Sequence, residues 1–172
     1  MAAPELLESL HPDKLVPSSD AVPERFELGT LPYELLAGVT AAIDVIAGIV
    51  PGEGTRRERL RVSLPAVGAH ELALRERLEA ELSDLPGVTL HSRATHRTPT
   101  LLLTFEGHDS KGVSRHLAGL GVNAPAGHFY AFEASRALGL GDNGGLRLGL
   151  ASYTNDADLD RLLTGLRECL KG

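Results

Sequence analysis

The sequence predicts an α+β fold: a small, mainly antiparallel sheet with helices packed on one face. Three observations carry this. From residue 66 onward the patterns run helix, strand, strand, helix, strand, strand, helix. The helical stretches show apolar residues three and four apart, whereas the strand stretches are short and closed by Gly and Asp. The aromatic share is only 4% with no Trp, so the core is aliphatic.

Ala3–Leu10 is a short helical patch. Residues 11–32 then hold four prolines and three Ser or Thr, which predicts extended, irregular chain. Tyr33–Ile49 is a helix with Leu36, Val39, Ile43, Ile46 and Val50 on one face and Gly38, Ala42, Val45 and Ile49 on the other. A helix apolar all round is buried on both sides, so another domain or subunit is expected against it. Residues 51–65 read as a break carrying Arg56, Arg57, Arg59 and Arg61. With Glu53 and Glu58 interleaved and no aromatics, they read as a solvated helix start rather than an anion patch.

Ala66–Leu85 is an amphipathic helix with Leu74, Leu78, Leu82 and Leu85 as its buried stripe. Glu71–Arg75, Arg75–Glu79 and Arg77–Glu81 are i,i+4 pairs on its wet side. Val88–Ser92 and Thr100–Phe105 are strands, Ser110–Leu120 is a helix, and Val122–Ala124 starts a third strand. Phe129–Leu138 passes from strand to helix, and Leu146–Ala151 is a strand reached through the turn at residues 141–145. The final helix spans Asp156–Leu170, capped by Asn155, with Leu159, Leu162, Leu163, Leu166 and Leu170 buried. The chain thus divides into residues 1–50, an irregular segment with a linker helix, and residues 51–172, the α+β domain.

At 172 residues the chain can bury a core without disulfides or metal. A net charge of −6 argues against nucleic acid or an anionic membrane as partner. The most apolar window, Leu35–Val50, is sixteen residues long and holds Asp44, whereas a membrane span needs ~20 apolar residues. No secretory signal is legible, and a cytoplasmic location is expected.

Candidate motifs are few. Gly139–Gly144 matches GxGxxG but follows helical sequence and precedes a strand, the reverse of a dinucleotide loop, so it reads as a helix-ending turn. None of the seven histidines has metal-ligand spacing, so no metal is expected. Cys169, the single cysteine, lies in a last helical turn, where the dipole disfavours a thiolate, and reads as structural. Arg147 alternates with Leu146 and Leu148, so periodicity alone places it at the surface.

Two separated stretches carry a family resemblance. RFELGTLPYELLAGVTAAIDVIAG, Arg25–Gly48, and GGLRLGLASYTNDADLDRLLTGL, residues 144–166, resemble segments of class V aminotransferases in the correct order, and GVNAPAGHFYA between them resembles their substrate-side loop. These are fold-type I enzymes that use pyridoxal phosphate (PLP) and include the cysteine desulfurases. The resemblance covers the chain from about Leu6 onward and points to the C-terminal portion, the small domain, of a desulfurase-like protein.

The resemblance implies that Gly29 and Thr30 bind the cofactor phosphate across a dimer. It implies that Arg147 grips the carboxylate of an amino-acid substrate, and that His128 belongs to the substrate loop. It also marks departures. Tyr130 stands where the nearest desulfurases carry their persulfide cysteine. The three lysines, Lys14, Lys111 and Lys171, lack the Ser-x-His-Lys context of the Schiff-base lysine. No catalytic residue is therefore expected here, and the chain should be inactive alone, completed as a homodimer or by a large PLP domain. The alternative is a free-standing, non-enzymatic module that binds amino acids or regulates a full-length partner.

Overall fold

The computed structural model describes residues 2–92 and 94–171. Six α-helices occur among them: α1 (Pro4–Ser9), α2 (Tyr33–Ala47), α3 (Arg56–Ser83), α4 (Ser110–Gly119), α5 (Phe132–Ala137) and α6 (Asp156–Cys169). Four strands, β1 (Val88–Leu90), β2 (Thr100–Phe105), β3 (Ala126–Gly127) and β4 (Gly145–Gly149), form one sheet in the order β1-β2-β4-β3. Every neighbouring pair is antiparallel. The α+β class with a small antiparallel sheet is therefore observed.

Alternation along β2 and β4 decides which side is the core. Leu101 and Leu103 pair with Leu148 and Leu146, and all four are buried. Against them pack Leu74, Leu78 and Leu82 of α3, Val113 and Leu117 of α4, and Leu159, Leu162, Leu163 and Leu166 of α6. The intervening residues, Leu102 and Arg147, are paired with each other and point to the opposite face. The short helix α5 stands over that face.

Helix α3 begins ten residues earlier than expected. Thr55 and Glu58 form a reciprocal capping box that fixes its start, and Pro65 is carried inside the helix. The Arg-rich stretch is thus helical, with Arg56 bonded through two nitrogens to Asp44 at 2.7 and 3.1 Å. The charges on the rest of α3 are not simply wet. Arg75 is 7% exposed, lies 3.7 Å from Glu79, and donates to the Arg97 carbonyl at 3.2 Å. Arg77 reaches Asp156 and Asp160 on α6, which raises its pKa further through those hydrogen bonds.

The third strand is also displaced. It is not Val122–Ala124 but Ala126–Gly127, two residues set by pairing with Leu146 and Gly145 of β4. The expectation of a helix buried on both sides is met on one side only. Ala47 is fully buried and Ile43, Ile46 and Val50 are half-buried, while Leu35, Leu36, Val39 and Val45 are exposed. Among the described residues no helix is long and apolar enough to cross a membrane.

Candidate functional site

The second face of the sheet bears a cavity of about 230 Å³. Its floor includes Leu102 and Arg147, its far wall is α5 through Ala134 and Ser135, and its rim is the loop carrying His128 and Phe129. Strand pairing creates this enclosure. β3 pairs along β4, so the residues leaving it, His128 onward, run past Arg147. The Arg147 backbone N–H is itself tied to the Pro125 carbonyl at 2.9 Å.

The loop is closed by a hydrogen bond from the Ala131 N–H to the His128 carbonyl at 2.8 Å. Both residues at its corner have positive φ, Phe129 at 53° and Tyr130 at 63°. That is the pattern of a mirror-image turn, which normally takes Gly, Asn or Asp. A bulky residue there carries strain of roughly 1 kcal/mol or more. Side-chain contacts hold it. The Arg147 guanidinium carbon lies 4.0 Å from the Phe129 ring centroid. The His128 ring meets Phe132 edge-on at 5.4 Å, and Arg136 covers Phe132 at 3.9 Å. Tyr130, by contrast, is fully exposed and does not line the cavity.

No hydrogen bond or ion pair occupies the Arg147 side chain among the described residues, and His128 Nδ1 is buried with no partner. Ser135 Oγ is spent on the Gly141 carbonyl at 2.7 Å. Ser92 and Thr100 add two hydroxyls to the lining, and its other side chains are apolar. Such a site can take an anion by the guanidinium fork and shield its other end from water.

Of the four residues singled out in the sequence, Arg147 and His128 come together in this cavity. Gly29 and Thr30 do not line it. Both are exposed, Gly29 has φ of 80°, and neither finds a hydrogen-bond partner among the described residues. Sequence reasoning passed over Leu102, Phe129 and Ala134. Leu102 was legible from strict alternation in TLLLTF, whereas Phe129 and Ala134 reach the site only through the turn and α5. Gly139–Gly144 does end a helix: the Leu140 N–H bonds the Ser135 carbonyl at 2.9 Å as α5 stops. Cys169 is half-buried against the core.

The family model described as aminotransferase class-V matches residues 16–162, most of the chain. The chain belongs to the class V aminotransferase family. Within it, an uncharacterized protein of Mycobacterium tuberculosis is 33% identical over 146 residues, covering 84% of this chain and 36% of that one. A probable cysteine desulfurase of Mycolicibacterium paratuberculosis is 29% identical over 150 residues, 87% of this chain and 20% of the relative. The apo cysteine desulfurase of Thermococcus onnurineus superposes with a TM-score of 0.72 at 22% identity, covering 87% of this chain and 34% of that structure. The class V chain described here thus spans about a third or less of the length of these relatives.

Class V aminotransferases are PLP-dependent, and PLP is held by a lysine through a Schiff base. None of Lys14, Lys111 and Lys171 lines the cavity, and no acidic residue lines it to meet a pyridine nitrogen. The residues present do not fit a covalently held cofactor.

Proposed function

We propose that this chain acts as the C-terminal, small domain of a desulfurase-like class V enzyme and supplies the carboxylate-binding side of its active site. In this reading residues 1–50 form the junction to a large domain and residues 51–172 the small domain. The observation that carries it is Arg147, unpaired and facing a cavity it shares with His128. A guanidinium is always charged and offers parallel donors that match a carboxylate, so an amino-acid substrate is anchored and oriented by its carboxylate. The chemistry at the α-carbon belongs to groups this chain lacks, which supports inactivity alone. Gly29 and Thr30 contribute an N–H and a hydroxyl toward a phosphate held elsewhere, in a dimer or by a separate large domain. Tyr130 in place of a thiol supports a reaction other than persulfide formation, since its hydroxyl cannot accept sulfur as a thiolate does.

The test uses the purified chain. Titration with L-alanine, followed by amide chemical shifts, should move resonances of residues 126–131 and 145–149 in the native chain and not in Arg147→Ala. Mixed with PLP and L-alanine and then treated with borohydride, the chain should gain no cofactor mass. A stable lysine adduct with turnover by this chain alone overturns the reading.

A second reading, a non-enzymatic module that docks on a full-length partner, is favoured by the exposed apolar residues Leu35, Leu36, Val39 and Val45 of α2. Binding of amino acids without any gain of activity on adding a large domain distinguishes it.

A further inference from the structure

We propose that the Arg147 cavity selects carboxylates that carry an apolar chain, and that Phe129 is the positioning residue that orients the Arg147 fork for them. This rests on the carboxylate reading above and adds a substrate class and a residue to it.

The first observation is the stacking geometry. The Phe129 ring lies 4.0 Å from the guanidinium carbon, so it covers one face of that group. The donors of a guanidinium lie in its plane, and a ring over its face leaves them free. Stacking therefore fixes the plane of the fork without using its hydrogen bonds. A flexible arginine loses rotamer freedom on binding, and a stacked one has lost part of it beforehand. Phe129 holds a left-handed φ of 53° while its ring lies against the arginine. A residue held in that unfavourable conformation is consistent with a site built around it.

The second observation is the rest of the lining. Leu102, Ala131, Ala134, Leu138 and Leu140 give it a mostly apolar surface, Ser92, Thr100 and Ser135 add hydroxyls, and no Asp or Glu lines it. An ammonium or second charge placed there meets no counter-ion from this chain. A methylene chain meets carbon. Each buried methylene should tighten binding about fourfold until the cavity is filled. His128 Nδ1, buried and without a partner, lies at the same rim and is available to a polar atom near the carboxylate end.

The test is a homologous series, acetate, butanoate and hexanoate, with hexylamine as the charge control, titrated into the full chain. Affinity should rise steeply from acetate to hexanoate, and hexylamine should not bind. The Arg147 Nε–H signal, identified by its loss in Arg147→Lys, should shift on carboxylate addition. Phe129→Leu should weaken every carboxylate roughly tenfold, while Phe129→Tyr, which keeps the stacking ring, should bind as the native chain does. Amide spectra of each variant establish that it is folded.

Failure can be assigned. If no carboxylate binds the native chain, the carboxylate reading falls and this inference with it. If carboxylates bind and Arg147→Lys abolishes it, but affinity is flat along the series, the apolar selectivity is wrong while the carboxylate reading stands. If Phe129→Leu binds as tightly as Phe129→Tyr, Phe129 does not position the fork.

Discussion

Gly144 lies directly against the Gly127 carbonyl: a Cβ on Gly144 would sit 2.1 Å from that oxygen and 2.5 Å from the His128 nitrogen. Its φ of 64° already disfavours any side chain. The two strands that frame the cavity can approach only because position 144 carries no side chain. Gly144→Ala should cost about 3 kcal/mol, from left-handed strain and the displaced β3 backbone. Urea denaturation measures the loss. A shift of the His128 ring resonances would show that the rim moved with it.

Ser63 joins α2 to α3. It is fully buried, donates to the Ala47 carbonyl at 3.3 Å and accepts from the Val50 N–H at 3.1 Å. Ser63→Ala leaves both backbone groups without that partner in a buried place. The expected cost is about 2 kcal/mol. Hydrogen exchange at Val50 should accelerate, which distinguishes this loss from a general weakening of the core.

Leu101 and Leu102 are neighbours in sequence with different fates. Leu101 is fully buried in the core, and Leu102 is half-buried on the cavity floor opposite Arg147. Leu101→Ala should destabilise by about 2–5 kcal/mol. Leu102→Ala should cost less than half of that and should weaken hexanoate more than acetate. Denaturation midpoints and ligand titration separate the two effects.

Glu58 supplies a pH dependence with a definite sign. Its carboxylate accepts from the Thr55 hydroxyl at 2.7 Å and the Thr55 N–H at 2.8 Å, which hold its pKa below 4.5 in the folded chain. A folded-state pKa below the unfolded one means the unfolded chain binds the proton more tightly. The contribution is present above the unfolded pKa and is lost as pH falls through the folded one. Carboxyl chemical shifts should place the Glu58 midpoint on the acid side of 4.5, and Thr55→Ala should return it toward the ordinary value.

Some elements were legible because local chemistry decides them. β2 begins and ends where its apolar run does, Thr100–Phe105. α6 starts after Asn155, whose side chain accepts from the Ala157 and Asp158 N–H groups at 2.9 and 3.2 Å. Others were not. Residues 51–65 read as a break, yet the Thr55–Glu58 box and packing on α2 carry α3 from Arg56 through Pro65. β3 is two residues long and has no periodicity to read; its place is fixed by β4.

The candidate site divides the same way. The sequence alone determined the α+β class, the leucine stripes that form the core, the face on which Arg147 lies, and the motifs that place the chain among class V aminotransferases. Alternation is a property of the strand itself, so it needed no partner. What covers that face was decided only by tertiary structure. The β3–β4 pairing brings His128 and Phe129 alongside Arg147, and the turn at residues 128–131 sets α5 over Leu102. The cavity lining draws on residues up to 55 positions apart in the chain, from Ser92 to Arg147. No local pattern encodes these contacts, because they arise from strand register and from the absence of a side chain at Gly144.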